Sequence, residues 1–439
     1  MANFCSDLVK HRRVFLIAIV VGMGGTFLFG FQITVIPFAS PFIKNFINDT
    51  WLERYNAPID DQTLTVLWSV IVSALSVGGL IGAGLSRYLS SRYGKRNSLV
   101  LSNLLVVVAA LITGTSKLAH TFEMILLGRF LYGFGAGLGS CIQIQYLGEI
   151  SPKKIRGLIN VTAIVLANLG RLLGQVTGLR ELLGTEALWP LLLASTGIAG
   201  LVPLVAVPFF PETPPYLFIQ KGDLEGSLKA MRWLWGQEDH KAEMEDLRKE
   251  KAAMEKIKIM TILELFRDRT VRCQVYLIIM VALAGPLSGI IAIYFYSFEV
   301  LHTAGLDQEL IPYVTLGIGA CDLGANLVCL YAVQHFGRRQ LLLWGYGSMM
   351  LLLALLTAGL SLQDHAFWLP YCNMALIFLF VVSFAVGPAG GTLLVTVELF
   401  TQSSRPAADA RRLFAIIQVT EVRATFSHAN TQQLAYRTL

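Results

Sequence analysis

Gly148-Glu149-Ile150-Ser151-Pro152-Lys153-Lys154-Ile155-Arg156-Gly157 sets a glutamate seven residues ahead of an arginine. The same spacing returns 249 residues later in Val397-Glu398-Leu399-Phe400-Thr401-Gln402-Ser403-Ser404-Arg405-Pro406. A second pair, Gly94-Lys95-Arg96 and Gly337-Arg338-Arg339, repeats at an offset of 243. All of these motifs lie between apolar runs of membrane length. The sequence therefore reads as an internally duplicated helical membrane protein, an organisation that points to a transporter.

Working outward, the chain of 439 residues is 54% hydrophobic and 15% charged, with a mean hydropathy of +0.60, more apolar than a soluble domain of this size requires. Ten apolar runs are long enough to cross a bilayer, near 14–36, 64–86, 97–115, 122–146, 157–183, 189–210, 272–298, 311–334, 340–360 and 367–400. None shows barrel-strand alternation, so each is expected to be a helix. The first run follows Lys10, His11, Arg12 and Arg13, but it is too long for a signal peptide and lacks an Ala-x-Ala site; it reads as a retained span.

The loops set orientation. Arg87, Arg92, Lys95 and Arg96 follow the second run, Lys153, Lys154 and Arg156 the fourth, and Arg338 and Arg339 the eighth. The positive-inside rule then puts the N-terminus in the cytoplasm of a multi-pass protein, expected at the plasma membrane. Asn48-Asp49-Thr50 is a glycosylation sequon, assigned to the first external loop. The domains expected are an N-terminal six-helix bundle over 1–210, a charged cytoplasmic linker over 211–271, a C-terminal bundle over 272–408 and an atypical polar tail over 409–439. The linker balances its charges, as in Lys241-Ala242-Glu243-Met244-Glu245-Asp246-Leu247-Arg248-Lys249-Glu250, which suits solvated helices and gives no basic patch for nucleic acid.

No constellation of Ser, His or Cys suits nucleophilic catalysis, and Cys5, Cys141, Cys273, Cys321, Cys329 and Cys372 show no metal-ligand spacing. No catalytic residue, metal ligand or cofactor is assigned, and an enzyme is not expected. Gly78, Gly82, Gly135 and Gly139 have the small-xxx-small spacing of close helix pairs. Gly285-Pro286-Leu287-Ser288-Gly289 and Gly387-Pro388-Ala389-Gly390-Gly391 interrupt spans seven and ten, where a transporter lines its cavity.

Together with Phe29-Gly30, Arg92-Tyr93-Gly94-Lys95-Arg96, Gly128-Arg129, Pro211-Glu212-Thr213-Pro214 and Arg405-Pro406-Ala407-Ala408, these motifs resemble the sugar-porter branch of the major facilitator superfamily over about residues 10–408. Within that branch they are similar to the class II facilitative hexose transporters. The resemblance implies an all-α polytopic fold of two six-helix repeats that carries a hexose, glucose or fructose, by alternating access. It also implies a cytoplasmic latch, with Arg92, Glu149, Arg156 and Glu212 bridging helices in the first half and Arg338, Glu398 and Arg405 in the second.

By the same resemblance the solute site involves Ile164, Gln175, Gly285, Pro286, Ser288, Ile291, Ile293, Tyr294, Tyr296, Asp322 and Phe384. Here the chain departs from the pattern. Gly285-Pro286 stands for a pair of glutamines, Ile291 for an asparagine, Ile164 for a glutamine, Asp322 for a common asparagine, and Phe384 for the histidine of a fructose-transporting relative. Ile293 keeps the class II isoleucine. The cavity is thus expected to be more apolar than that of a typical hexose transporter.

Two charges are unexpected inside spans, Arg171 in the fifth, where relatives carry an aliphatic residue, and Asp322 in the eighth. Each costs roughly 2.5–3.5 kcal/mol at a helix centre unless paired or hydrated. Three readings stand: a pair across the two halves, an Arg171 that meets an anionic solute, or an Asp322 that takes up a proton. Shifting spans five and six by 249 calls for two further spans over about 406–459, whereas only Leu413 to Val419 is apolar beyond Ala408. The second repeat is therefore expected to lack its last two helices. Two alternatives to a hexose carrier follow: a transport-inactive protein that binds or regulates a full-length partner, and an organic-anion carrier of urate type. The expected partners are the solute and the lipid bilayer, with self-association left open.

Overall fold

The computed structural model describes residues 11–152, 155–236, 241–256, 280, 284–285, 287–303, 305–335, 338–362 and 368–389, and these contain helices and turns but no strand. Pro286, Glu398, Arg405, the 409–439 tail and the question of two absent spans lie outside the described residues, as do the side chains of Arg156, Ile291 and Arg338.

The helices are α1 (Arg12–Tyr55), α2 (Asp61–Tyr93), α3 (Lys95–Thr115), α4 (Glu123–Ile150), α5 (Arg156–Thr177) and α6 (Trp189–Phe209). The linker supplies α7 (Leu224–Trp235) and α8 (Lys241–Lys256). The second half follows with α9 (Ile290–Phe295), α10 (Ser297–Thr303), α11 (Ile311–His335), α12 (Arg338–Ser361) and α13 (Leu369–Ala389). Among the described residues eight helices are long and apolar enough to cross a membrane: α1 to α4, α6 and α11 to α13. At 22 residues α5 reaches about 33 Å and also has the length.

The first helix runs much further than the 14–36 expected from hydropathy. Its apolar stretch ends near Ile36, but the helix continues through Pro37 and Pro41 to Tyr55, where Asn56 stops it in the left-handed conformation at φ 51°. A π turn over Met23–Phe27 widens α1 where Gln143 of α4 inserts, its Oε1 accepting the Thr26 N–H at 2.8 Å. A side-chain oxygen entering the helical ladder is a known cause of such a turn.

The first half is close-packed. A Cβ on Gly133 of α4 would come within 1.9 Å of the Leu75 carbonyl oxygen on α2, and one on Gly78 within 2.1 Å of the Phe130 oxygen. Backbone thus lies on backbone along the α2–α4 seam, which is what small residues provide in lipid, where helices gain little from apolar burial. Large apolar side chains such as Leu111, Ile198 and Val205 face outward, 65–69% exposed, as lipid-facing residues do.

The linker docks under the same half. Trp235 donates its indole N–H to the Ile150 carbonyl at 2.8 Å, and Arg13 donates to the Trp233 carbonyl at 2.8 Å. Asp223 caps α7 by accepting the Gly226 N–H at 2.8 Å. On α8 Lys249 pairs with Glu245 four residues back, at 2.9 Å. This end of the molecule is called the linker end below, and the end carrying Tyr55 and Ile311 the distal end. The described contacts between halves, α5 on α11 and α1 on α9 and α10, lie toward the distal end.

Candidate functional site

Two stripes carrying polar side chains face one another between the halves. On α5, Asn168, Arg171 and Gln175 follow the i, i+3, i+7 spacing of one helix face; on α11, Thr315, Ile318 and Asp322 do the same. Where the stripes meet, Arg171 donates from Nη1 to Asp322 Oδ2 at 2.7 Å. Its Nη2 donates to Asn168 Oδ1, and its guanidinium lies 5.0 Å from the centre of the Tyr294 ring. Asn326 donates to the other carboxylate oxygen of Asp322 at 2.9 Å. The carboxylate is 3% exposed and the guanidinium side chain 20%. Of the three readings of these charges, the structure takes the first: they pair across the halves. In this arrangement Arg171 is engaged by Asp322 and does not stand as a free cation.

Beside the pair lies a small cavity of ≈ 10 Å³, lined by Thr34, Gln175, Ile293, Tyr294, Ser297, Thr315 and Ile318. That is below the roughly 300–1,000 Å³ of small-molecule pockets. Gln175 Oε1 and Ser297 Oγ are buried here without a hydrogen-bond partner among the described residues. Each such atom costs about 1–3 kcal/mol unless a ligand or water meets it. Thr34 is tied down instead, donating to the Arg171 carbonyl at 2.8 Å.

Of the residues named from sequence, the cavity brings together Gln175, Ile293 and Tyr294, with Asp322 adjoining. Among the other named residues that the structure describes, Ile164, Gly285, Ser288, Tyr296 and Phe384 are not part of its lining. Ile164 lies half-buried two turns toward the linker end of α5. Ser288 folds its hydroxyl onto the Gly285 carbonyl at 2.6 Å. Tyr296 packs into the core of the first half and Phe384 against that of the second. Thr34, Ser297 and Thr315 were not singled out from sequence, although as hydroxyls within apolar runs at helical spacing from named residues they carried the signal.

A further correction concerns intramembrane charge. Beside Arg171 and Asp322 there is a third, Arg129, fully buried on α4 and donating to the Gln32 carbonyl at 3.0 Å and to Gln32 Oε1 at 2.9 Å. The sequon is also placed differently. Asn48 sits inside α1 with its carboxamide oxygen buried, and Thr50 is buried with its hydroxyl on the Phe46 carbonyl at 2.7 Å, so it is helix and not loop.

At the linker end a second charge cluster joins α3, α4 and the segment after α6. Lys95 pairs with Glu149. Glu212 accepts the backbone N–H groups of Lys95 and Arg96, each at 3.2 Å. Burial pushes its carboxyl above the ordinary glutamate range, against the opposing pull of those N–H groups and of Lys95. Gly94, at φ 88°, makes this approach possible, since a Cβ there would stand 2.4 Å from Glu212 Oε2. Arg92, named for the latch, instead lays its guanidinium on Tyr88 and Tyr93 of its own helix, 5.8 Å from each ring centre.

The family model described as sugar (and other) transporter matches residues 17–417. The chain belongs to that family. It is 40% identical over 401 residues to human facilitated glucose transporter member 11, covering 91% of this chain and 81% of the relative. It is 39% identical to member 9 of mouse and 37% identical to member 5 of horse, covering 89% and 90% of the chain and 73% and 78% of those proteins. The inward-open xylose transporter XylE of E. coli superposes with a TM-score of 0.73 at 20% identity, over 95% of this chain and 89% of that one. The fold of this sugar-family transporter is therefore that of the major facilitator sugar porters, and membership in a transporter family makes it a multi-pass carrier protein and not an enzyme.

Proposed function

We propose that this transporter is a facilitative carrier for a hexose, glucose or fructose, or a similar small solute, which it moves by alternating access across the plasma membrane, with the N-terminus and linker end in the cytoplasm. The observation that carries the reading is where the cavity lies: between α1 and α5 of one half and α9, α10 and α11 of the other, where a rocking motion of the halves opens it to one side at a time. Its chemistry suits a neutral polyol. Gln175 Oε1 accepts and Ser297 Oγ both donates and accepts, while Ile293, Ile318 and the Tyr294 ring offer apolar faces to the carbon skeleton. The basic loops at the linker end, with Arg92, Lys95 and Arg96, support a cytoplasmic placement.

The linker-end cluster supplies the first half's share of a latch through Lys95, Glu149 and Glu212; Arg338, Glu398 and Arg405 complete it from the second half, and Arg156 sits beside it in sequence. In the arrangement described, Arg171 is engaged by Asp322 and Asn168.

The test is uptake of labelled glucose, fructose and urate by liposomes carrying the purified chain. Saturable uptake of a hexose with no imposed ion gradient is the expected result, and Gln175→Leu should raise KM about tenfold by removing one acceptor. Absence of uptake for all three solutes, in liposomes where insertion is verified, would replace the carrier reading with that of a transport-inactive partner protein.

A further inference from the structure

We propose that the Arg171–Asp322 pair is a charge lock between the halves, one that closes the cavity on its linker side and has to open before a solute passes that way. The inference rests on the alternating-access reading but concerns a device that the family pattern does not contain, since that pattern has an aliphatic residue and an asparagine at these two positions.

Four observations carry it. The pair joins opposite halves, Arg171 on α5 and Asp322 on α11, in direct 2.7 Å contact. It stands directly beside the cavity, because Tyr294 lines that cavity and also stacks on the guanidinium, and Gln175 lies one turn distal to Arg171. Above it, toward the distal surface, the halves also meet through Phe38 and Phe298, with ring centres 5.1 Å apart, and through Tyr313, which donates to Glu181 Oε1 at 2.5 Å. The pair is thus the deepest of these three described contacts, next to the space it closes.

The fourth observation explains why it is a lock and not a weld. Each charge keeps a second partner on its own helix: Asn168 sits three residues before Arg171, and Asn326 four residues after Asp322. When the halves part, each charge leaves with a carboxamide still attached. Water then enters, and the attraction that was strong in a dry, low-dielectric gap falls steeply. The pair therefore has two self-consistent arrangements, paired and dry or parted and wet. An asparagine carboxamide both donates and accepts, so it can serve either sign of charge.

The experiment uses the full chain with its six cysteines replaced and Ser297→Cys as a reporter in the cavity. Labelling by a membrane-impermeant maleimide is followed from the linker side, in vesicles sealed with that face outward. The parent should label slowly. Arg171→Leu with Asp322→Asn, which leaves no unpaired buried charge and so keeps the fold, should label at least tenfold faster. The exchange Arg171→Asp with Asp322→Arg should return the rate to within about threefold of the parent, by re-forming the pair between the same helices. Parent-like labelling of the neutral double variant overturns the lock, as does an exchanged variant that labels as fast as the neutral one. Labelling does not need transport. The expected pattern without solute uptake would keep the lock and remove the carrier reading.

Discussion

The α2–α4 seam and the α5–α11 seam both join helices away from water, yet they are made of opposite materials. Between α2 and α4, carbonyl oxygens of one helix rest against glycines of the other, with Gly133 too close to Leu75 for any side chain. Nothing there can open without exposing backbone to lipid. Between α5 and α11 the described polar contact is an arginine on an aspartate, each backed by an asparagine of its own helix, and Gly319 makes room for Gln175. Close apolar packing without charge makes a permanent joint. A charge pair with spare partners makes one that can part and re-form. The difference separates what moves as one body from what moves against it.

The comparison is broken most severely at the permanent joint. Gly133→Val puts three carbons where none fits, and about 3 kcal/mol or more of stability should be lost, seen as disappearance of the monodisperse peak in detergent gel filtration. A smaller effect should appear at the α5–α11 seam, and only for half-removal. Arg171→Leu alone strands the Asp322 carboxylate and should cost about 3 kcal/mol, whereas adding Asp322→Asn should bring stability back to within about 1 kcal/mol of the parent. Thermal melts of the three forms measure this, and equal melting of single and double variants would show that the seam is held by packing.

The smallest effect is at the linker end. Burial raises the Glu212 carboxyl above its ordinary range, so the folded state favours its protonated form. The stabilisation from this group is fully present below the ordinary glutamate range and is lost as pH rises through the raised value. Melting temperatures of the parent and Glu212→Gln, compared from acid to neutral pH, should drift apart by roughly one degree in favour of the glutamine form as pH rises. A constant difference would mean that the N–H groups of Lys95 and Arg96 offset the burial.

Much of the fold was legible because lipid leaves few options: apolar length set the helices, and the duplicated glutamate–arginine spacing set the two halves. Legibility failed where something other than hydropathy determines a boundary. α1 outruns its apolar stretch because helix outside the hydrocarbon region needs only local propensity and a left-handed stop at Asn56. α5 stops at Thr177, short of the 183 expected, because Gly178 meets Phe38 and the Gly184 N–H returns to the Leu179 carbonyl at 2.9 Å. Within the site, Arg171 and Asp322 stood out as misplaced charges, but one sequence holds no distance between helices of different halves, so their pairing stayed one option of three. Arg129 is a buried charge whose partner, Gln32, lies on another helix 97 residues away, a pairing that no local spacing signals.

The glycine-backed seam also has a mechanical meaning. α4 has 28 residues, so it is a rod of about 42 Å, rigidly joined to α2. Tilting such a rod by about 10° around its midpoint carries each end some 3–4 Å, in opposite directions, a modest swing beside known subunit rotations. Contacts near the ends of the halves feel the whole of that travel, and contacts nearer the midpoint feel part of it. A lever of this length turns a small angular change into the difference between a touching and a separated pair, and it makes whatever loosens one end tighten the other.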